Sequence, residues 1–294
     1  MKFLITDAFA DTLFGGNPAG VVLLPKASPF PSDNTMLKTA AELRYSETAF
    51  VSTIGDREFQ IRYFTPAAEV ELCGHATIGS FCALLHMGLI KSGDKCMNHT
   101  LSGDIEVEVA NGYVMMDMAK PELISTISSE KDLRELYEIM GTEYQEVKFG
   151  DKVLLPELIS TGLPDIIMPV ANSNVLNALA PDMKALSALS ERYNVTGVHA
   201  FAPESGGAVT ARTRNFAPLY DIDEEAATGT SSGALTYYLY RNDFIGDGAE
   251  VNYIQGEAMG RPSKIKSNLN IEGDRCGIKV GGNAVVLAEG DIHI

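Results

Sequence analysis

His75 stands in the run Cys73-Gly74-His75-Ala76-Thr77, where an acidic segment gives way to a stretch with no Asp, Glu, Lys or Arg between Glu71 and Lys91. The run reads as a helix that starts near Gly74. A titratable imidazole then lies where unpaired backbone N–H groups and the positive end of the helix dipole point outward, which is a place to hold an anion. The alternative for His75 is a buried structural imidazole closing hydrogen bonds at the helix start. Glu47 falls in Tyr45-Ser46-Glu47-Thr48-Ala49-Phe50-Val51, a strand pattern with neither face plainly polar. A carboxylate partly buried there has its pKa raised toward the range useful in proton transfer; a solvated Glu at a strand edge is the alternative. Asn17 belongs to the loop Phe14-Gly15-Gly16-Asn17-Pro18-Ala19-Gly20. Either it presents its amide to a ligand, or the segment is only a tight connection made of turn-forming residues.

The elements that must position these groups repeat. The stretch FTPAAEVELCGHATIGSFCALLHMGLI begins at Phe64, and FAPLYDIDEEAATGTSSGALTYYLY begins at Phe216, with no formal charge between Glu225 and Arg241. Each starts with Phe, one residue and Pro, passes an acidic segment, turns at a Gly among small residues and enters a charge-free helix. Matching Cys73-Gly74-His75 to Thr228-Gly229-Thr230 pairs the two helix starts, and we read a duplicated half. In this frame Glu225 compensates the second helix terminus, in the simplest reading. Ala76, Ile78, Phe81, Cys82, Leu84, Leu85 and Leu89 cover every face of a helical wheel, so the first helix is buried. Its length raises a transmembrane reading, but two His, three Gly and an aliphatic run that starts only near Phe81 favour a buried globular helix.

Around these helices the chain reads mainly as strands. Lys2 to Ala10 alternates with Phe3 and Ile5 on its apolar side, and Val21 to Leu24, Arg57 to Phe64 and Gly248 to Gln255 are strands. Asp104 to Met118 is a hairpin about Asn111-Gly112, and His199 to Pro203 pairs with Ala208 to Phe216 around Ser205-Gly206-Gly207. Lys152 to Val170 is strand-rich, broken at Thr161 to Asp165, and Gly277 to Leu287 closes the chain with strands. Shorter helices are expected from about Thr35 to Leu43, capped by Ser32 or Asp33, from Ser128 to Met140, and from about Pro181 to Tyr193. Strands that wrap a helix apolar on all sides are the simple way to cover it. The fold expected is therefore α+β, two pseudo-symmetric β-barrel-like halves each around a central α-helix, with a cleft between them. Residues 1–119 form the first half, completed by a C-terminal strand at about 280–294, and 120–279 the second.

The chain has 294 residues, 45% hydrophobic and 21% charged, with a formal net charge of −16. That charge argues against nucleic acid or anionic membrane as a partner and is read as an aid to solubility. Cys73, Cys82, Cys96 and Cys276 show no metal-binding spacing. They fit reduced thiols in the cytoplasm, and the N-terminal residues do not read as a secretory signal.

The ordered motifs DAFADTLFGGNPAG, SETAF, LCGHATIG, DEEAATGTSSGAL and QGEAMGRPS resemble those of the PhzF-like phenazine-biosynthesis proteins, over nearly the whole length. That family shares the diaminopimelate epimerase-like fold. The resemblance implies the doubled barrel, no cofactor and no metal, a homodimer, and an isomerase that shifts a proton on a small carboxylate-bearing substrate. It makes Glu47 the base that moves a proton between two carbons on one face, and His75 the group that holds or polarises substrate. Asn17, Gly74, Gly229 and Thr230 become substrate-binding positions. Glu225 becomes a third catalytic position with Glu47 and His75, because the family's Asp in its DPATGS motif falls on it, a departure, since one extra methylene displaces the carboxylate; the motif's Ser falls on Thr230.

Three other readings compete. An epimerase or racemase with two thiols has Cys73 at its first position but Thr228 at the second, and a hydroxyl is too weak an acid for that role. A Cys73–His75 nucleophile needs a contact that residues two apart at a helix start are not expected to make. A small-molecule-binding protein without turnover takes its support from Glu225 in place of Asp.

Overall fold

The computed structural model describes all residues except Asn111, Ser205 and Gly206, so parts of the two turns expected there lie outside the described residues. Strands dominate and helices are few, and contacts divide the chain into two units: Met1–Asp117 with Gly281–Ile294, and Met118–Val280.

In the first unit the elements run β1 (Lys2–Ala8), β2 (Asn17–Leu23), α1 (Asp33–Leu43), β3 (Thr48–Gly55), β4 (Glu58–Phe64), β5 (Glu69–Val70), α2 (Gly74–His86), β6 (Lys95–Thr100), β7 (Gly103–Ala110) and β8 (Tyr113–Asp117). β1 lies antiparallel to β2, β2 parallel to β3, β3 antiparallel to β4, β4 parallel to β6, and β6 antiparallel to β7. The last strand, Ala284–Asp291, adds to the other edge of β1. β1 is buried through Leu4, Thr6 and Ala8 rather than through Phe3 and Ile5, which are only half-buried. The alternation in its sequence misses this because Thr6 faces the interior.

α2 forms where the charge-free run predicts it. From His75 to Phe81, Ala83 and Leu84 it is buried, and it touches β1, β2, β3, β8 and the C-terminal strand. The helix stops at His86, so Leu89 lies past its end and is exposed. Its approach to β1 depends on Gly79, where an added Cβ would stand 2.3 Å from Thr6 Oγ1. Thr77 holds it to the strands: Oγ1 donates back to the Cys73 carbonyl (2.7 Å) and lies 2.7 Å from the Tyr63 hydroxyl, which accepts from Asn98.

The second unit holds β9 (Glu122–Thr126), α3 (Glu130–Ile139), β10 (Val147–Phe149), β11 (Lys152–Leu154), β12 (Glu157–Ser160), β13 (Pro164–Pro169), α4 (Ser173–Ala178), α5 (Met183–Tyr193), β14 (Val198–Pro203), β15 (Ala211–Ala217), β16 (Ile222–Glu225), α6 (Gly229–Arg241), β17 (Glu250–Gln255) and β18 (Ser263–Glu272). Its pairings repeat the first unit's in order and direction. β12 is antiparallel to β13, β13 parallel to β14, β14 antiparallel to β15, β15 parallel to β17, and β17 antiparallel to β18. α6 is buried like α2 and touches β12, β13 and β18. Ser232 Oγ donates to the Thr228 carbonyl (2.8 Å), as Thr77 does one unit earlier. Thr236 joins the Tyr253 and Ser267 hydroxyls.

Candidate active site

Glu47 lies outside the strand expected for it. α1 is capped by Ser32, whose Oγ accepts from the Thr35 N–H, and ends at Arg44 with φ 60°. Tyr45 to Glu47 then bend before β3 begins at Thr48. The Glu47 carbonyl accepts from the Gly20 N–H (3.2 Å), which fixes the residue where β2 and β3 start to run parallel. Asn17 is the first residue of β2 and is buried. Its place depends on Gly16, at φ +65°, where a Cβ would stand 2.1 Å from the Ala8 carbonyl oxygen. Asp7 anchors the loop ahead of it by accepting from the Phe14 N–H (2.9 Å).

These segments converge on His75 in the first turn of α2. Nδ1 lies 3.2 Å from Asn17 Nδ2; Nε2 lies 3.2 Å from Ser46 Oγ and 3.0 Å from Glu47 Oε2. The imidazole is 3% exposed and the Glu47 side chain 13%. Glu47 Oε2 is buried and takes no in-line hydrogen bond from the described residues, so its approach to Nε2 is a contact of charges. Asn17 fits either ring state by turning its amide: Nδ2 donates to a neutral Nδ1, and Oδ1 accepts from the imidazolium N–H.

Cys73 completes the cluster, with Sγ 3.4 Å from Nδ1 and 3.8 Å from Nε2 of His75. The expectation that these side chains point apart is overturned. Cys73 is the N-cap, with extended φ −139° and ψ 118°, so its side chain folds over the first turn instead of following the helical rotation. Burial would lower the His75 pKa, but contact with Cys73 and Glu47 outweighs it and holds the imidazolium well above its ordinary 6.5. Burial pushes the Cys73 thiol up to about 11, so at neutral pH the sulfur keeps its proton and Glu47 is the charge that acts. Burial also favours a higher Glu47 pKa, yet the His75 charge overrides it and the carboxyl lies below its ordinary 4.5. The expected raised value fails because the partner is a cation in contact, a stronger influence than the loss of water.

Glu47, Cys73 and His75 place one oxygen, one sulfur and one ring nitrogen within 4.8 Å of one another, the grouping among the described residues that could hold a metal ion. The four cysteines carry no such signal by spacing, because the set draws on two separate segments.

The second unit presents Glu225, Gly229 and Thr230 at the start of α6. Glu225 ends β16 and its Oε2 accepts from Thr228 Oγ1 at 2.6 Å. The N-cap hydroxyl is thereby turned to Glu225 instead of to the helix N–H groups, and neither Thr228 nor Cys73 makes a side-chain cap bond. Gln255 braces this turn: Oε1 accepts from the Thr228 N–H (3.2 Å), and Nε2 donates to the Glu225 carbonyl (2.7 Å) and to Thr228 Oγ1 (3.0 Å). Thr230 is half-buried, and its carbonyl accepts from Thr161 Oγ1. Behind it Asp165, Ser231, Asn215 and His199 form a buried chain of polar contacts. Burial pushes Asp165 up to about 6 and His199 down to about 3. Sequence reasoning passed over Ser46 and Gln255. Both stand inside the motifs SETAF and QGEAMGRPS, which is the signal that could have found them.

Comparison with known proteins bears on what this assembly belongs to. The profile of the phenazine biosynthesis-like protein family matches residues 6–290. An uncharacterized isomerase of Deinococcus radiodurans is 33% identical over 98% of this chain and 94% of its own. The trans-2,3-dihydro-3-hydroxyanthranilate isomerase of Pseudomonas chlororaphis is 29% identical over 99% and 98%. The crystal structure of the Bacillus anthracis phenazine biosynthesis protein of the PhzF family superposes with a TM-score of 0.86 at 26% identity, covering 100% of this chain and 99% of that one. A hydroxyproline epimerase from Agrobacterium vitis shares the fold at a TM-score of 0.64 and 13% identity, over 99% and 90%. With its motifs in the family's order and its whole length accounted for, this chain belongs to the PhzF family of phenazine biosynthesis-like proteins, whose named relatives are isomerases.

Proposed function

We propose that the protein is a cofactor-independent isomerase that shifts a proton within a small carboxylate-bearing substrate, with Glu47 as the base. The observation that carries this reading is the Glu47 Oε2 atom, which is buried, lacks an in-line hydrogen bond among the described residues and lies 3.0 Å from an imidazole. A carboxylate largely withdrawn from water is suited to take a proton from carbon once a substrate C–H is aligned with it. In the step, Glu47 accepts the proton while the electron pair left on carbon spreads into the substrate's unsaturated system. Glu47, whose side chain is 13% exposed and whose acid proton can exchange with water while it is held, then gives a proton to another carbon on that face, so nothing is oxidised or reduced.

The pairing with His75 couples the two halves of the step. While Glu47 is ionised its charge holds the imidazolium. When Glu47 takes the substrate proton that charge is gone, and the His75 donor is available to the negative charge developing on the substrate. Asn17 and Ser46 keep the ring in place. The α2 N-terminus adds N–H donors for the carboxylate; in the second unit we assign Glu225 a catalytic role and Gly229 and Thr230 to substrate binding. The strands touching α2 from several sides support the barrel-like reading of each unit, and the family likeness supports a homodimer.

The test is a panel of small cyclic and amino carboxylic acids, including a dihydro-hydroxyanthranilate, incubated in deuterated water. Deuterium should enter one carbon of the true substrate, and Glu47→Gln should slow that entry by about 10²–10⁴-fold with ligand affinity kept. Unchanged exchange in Glu47→Gln removes Glu47 from the mechanism. The two-thiol epimerase gains the contact of Cys73 with His75 but lacks a second acid, because the Thr228 hydroxyl is engaged by Glu225.

A further inference from the structure

We propose that Glu47, Cys73 and His75 bind one zinc-class dication, Zn²⁺ being the fitting ion, and that the bound metal shuts the isomerase off. The donor set decides the class of ion. One thiolate, one imidazole and one carboxylate are zinc ligands, whereas magnesium and calcium take oxygen alone.

The geometry is close to what the ion needs. Bond lengths of about 2.0–2.3 Å place the ligand atoms of a tetrahedral zinc about 3.3–3.7 Å apart. Here Nε2–Oε2 is 3.0 Å and Nε2–Sγ 3.8 Å, and the three ligand atoms lie within 4.8 Å of one another, so movements of at most about 1 Å bring them to those separations. Charge is matched as well: a thiolate and a carboxylate neutralise the dication in a pocket where an unbalanced charge would be costly. Binding releases the Cys73 thiol proton and one His75 ring proton to solvent, and the metal forms bonds to Sγ, Nε2 and Oε2. Asn17 then serves as the outer partner that orients a ligating imidazole, its Oδ1 accepting from Nδ1–H. A fourth position is left for water or a substrate oxygen. Because the ion would occupy Glu47 and His75 together, it competes with proton transfer instead of assisting it; this consequence rests on the proposed function, while the binding itself does not.

The experiment uses the full, reduced, chelator-treated protein titrated with Co²⁺, followed by displacement with Zn²⁺. One equivalent of Co²⁺ should produce a thiolate-to-cobalt charge-transfer band that Zn²⁺ abolishes. Cys73→Ser should lose the band, Glu47→Gln and His75→Ala should weaken binding by more than about 100-fold, and Asn17→Ala by about 10–100-fold. A protein in which Cys82, Cys96 and Cys276 are all replaced by Ser keeps Cys73 as its sole thiol and should retain the band. This second variant decides the matter if Cys73→Ser does not fold. No band in the wild type, a band that survives Cys73→Ser, or its absence from the folded triple variant overturns the proposal. Deuterium exchange by the metal-free protein is read separately, so failure of the metal site and failure of the isomerase reading are distinguishable.

Discussion

Glu47 and His75 show how far a residue's chemistry depends on partners that its own segment does not reveal. The residue types and the helix start were legible, because a charge-free run that turns at a Gly near its beginning announces where backbone donors gather. The sign of the Glu47 shift was not, since it depends on an imidazole brought in from a later helix. The pair also makes stability depend on pH, with a window set by both directions. His75 is raised, so its contribution is complete below its unfolded value near 6.5 and fades as pH rises through its higher folded value. Glu47 is lowered, so its contribution is complete above about 4.5 and is lost as pH falls through its folded value. Both act together between those limits. Glu47→Gln should therefore cost about 1–3 kcal/mol in that window. In urea unfolding from pH 4 to 9 the gap to the wild type should be widest near pH 5–6.5 and narrow on either side. A gap of constant size across the range would mean that the two groups do not act as an ion pair.

At the level of elements, the segments that read most clearly were those whose burial has one cause. α2 and α6 lack charge because strands meet them on several sides, and the cap Ser32 stands where a helix start needs an acceptor. The approach to β3 misled because Tyr45-Ser46-Glu47 has the composition of a strand while its backbone bends to bring Ser46 and Glu47 onto the imidazole. What the sequence could not tell is how closely the helix packs, and Gly79 makes that testable. Gly79→Ala gains helix propensity but drives a methyl into Thr6 Oγ1, whose β-branched side chain has little freedom to yield. The expected cost is about 1–3 kcal/mol, read by chemical denaturation, and Gly79→Ala with Thr6→Ala should recover much of it. If Gly79→Ala alone is neutral or stabilising, the helix is not held at this distance from β1.

Across the whole molecule, the two units share a device that the duplicated motifs only hinted at. Arg62 on β4 makes two 2.6 Å bonds to Glu69, four residues before the α2 cap, and its guanidinium lies 5.3 Å from the Phe64 ring. Arg214 on β15 makes two 2.8 Å bonds to Glu224, four residues before the α6 cap, and lies 4.8 Å from the Phe216 ring. In both units a buried or half-buried arginine thus fastens the acidic strand that delivers the chain to its helix start. The copies have diverged in what else they hold. Arg62 reaches Asp33 at the start of α1 (2.9 Å), while Arg214 donates to the Leu176 and Leu179 carbonyls at the end of α4. Arg214 is the more deeply buried, with its side chain 10% exposed against 19% for Arg62. Arg214→Met should therefore be the more damaging change, by about 3–5 kcal/mol, because it strands the Glu224 charge and two carbonyls. Pairing it with Glu224→Leu should restore part of the loss, since removing both charges leaves no unmatched carboxylate. Equilibrium unfolding of the two single variants and the double variant checks this. A double variant as unstable as the sum of its single changes would show that the pair does not act as a unit, and with it would go the idea that each helix start is held by the same inherited clamp.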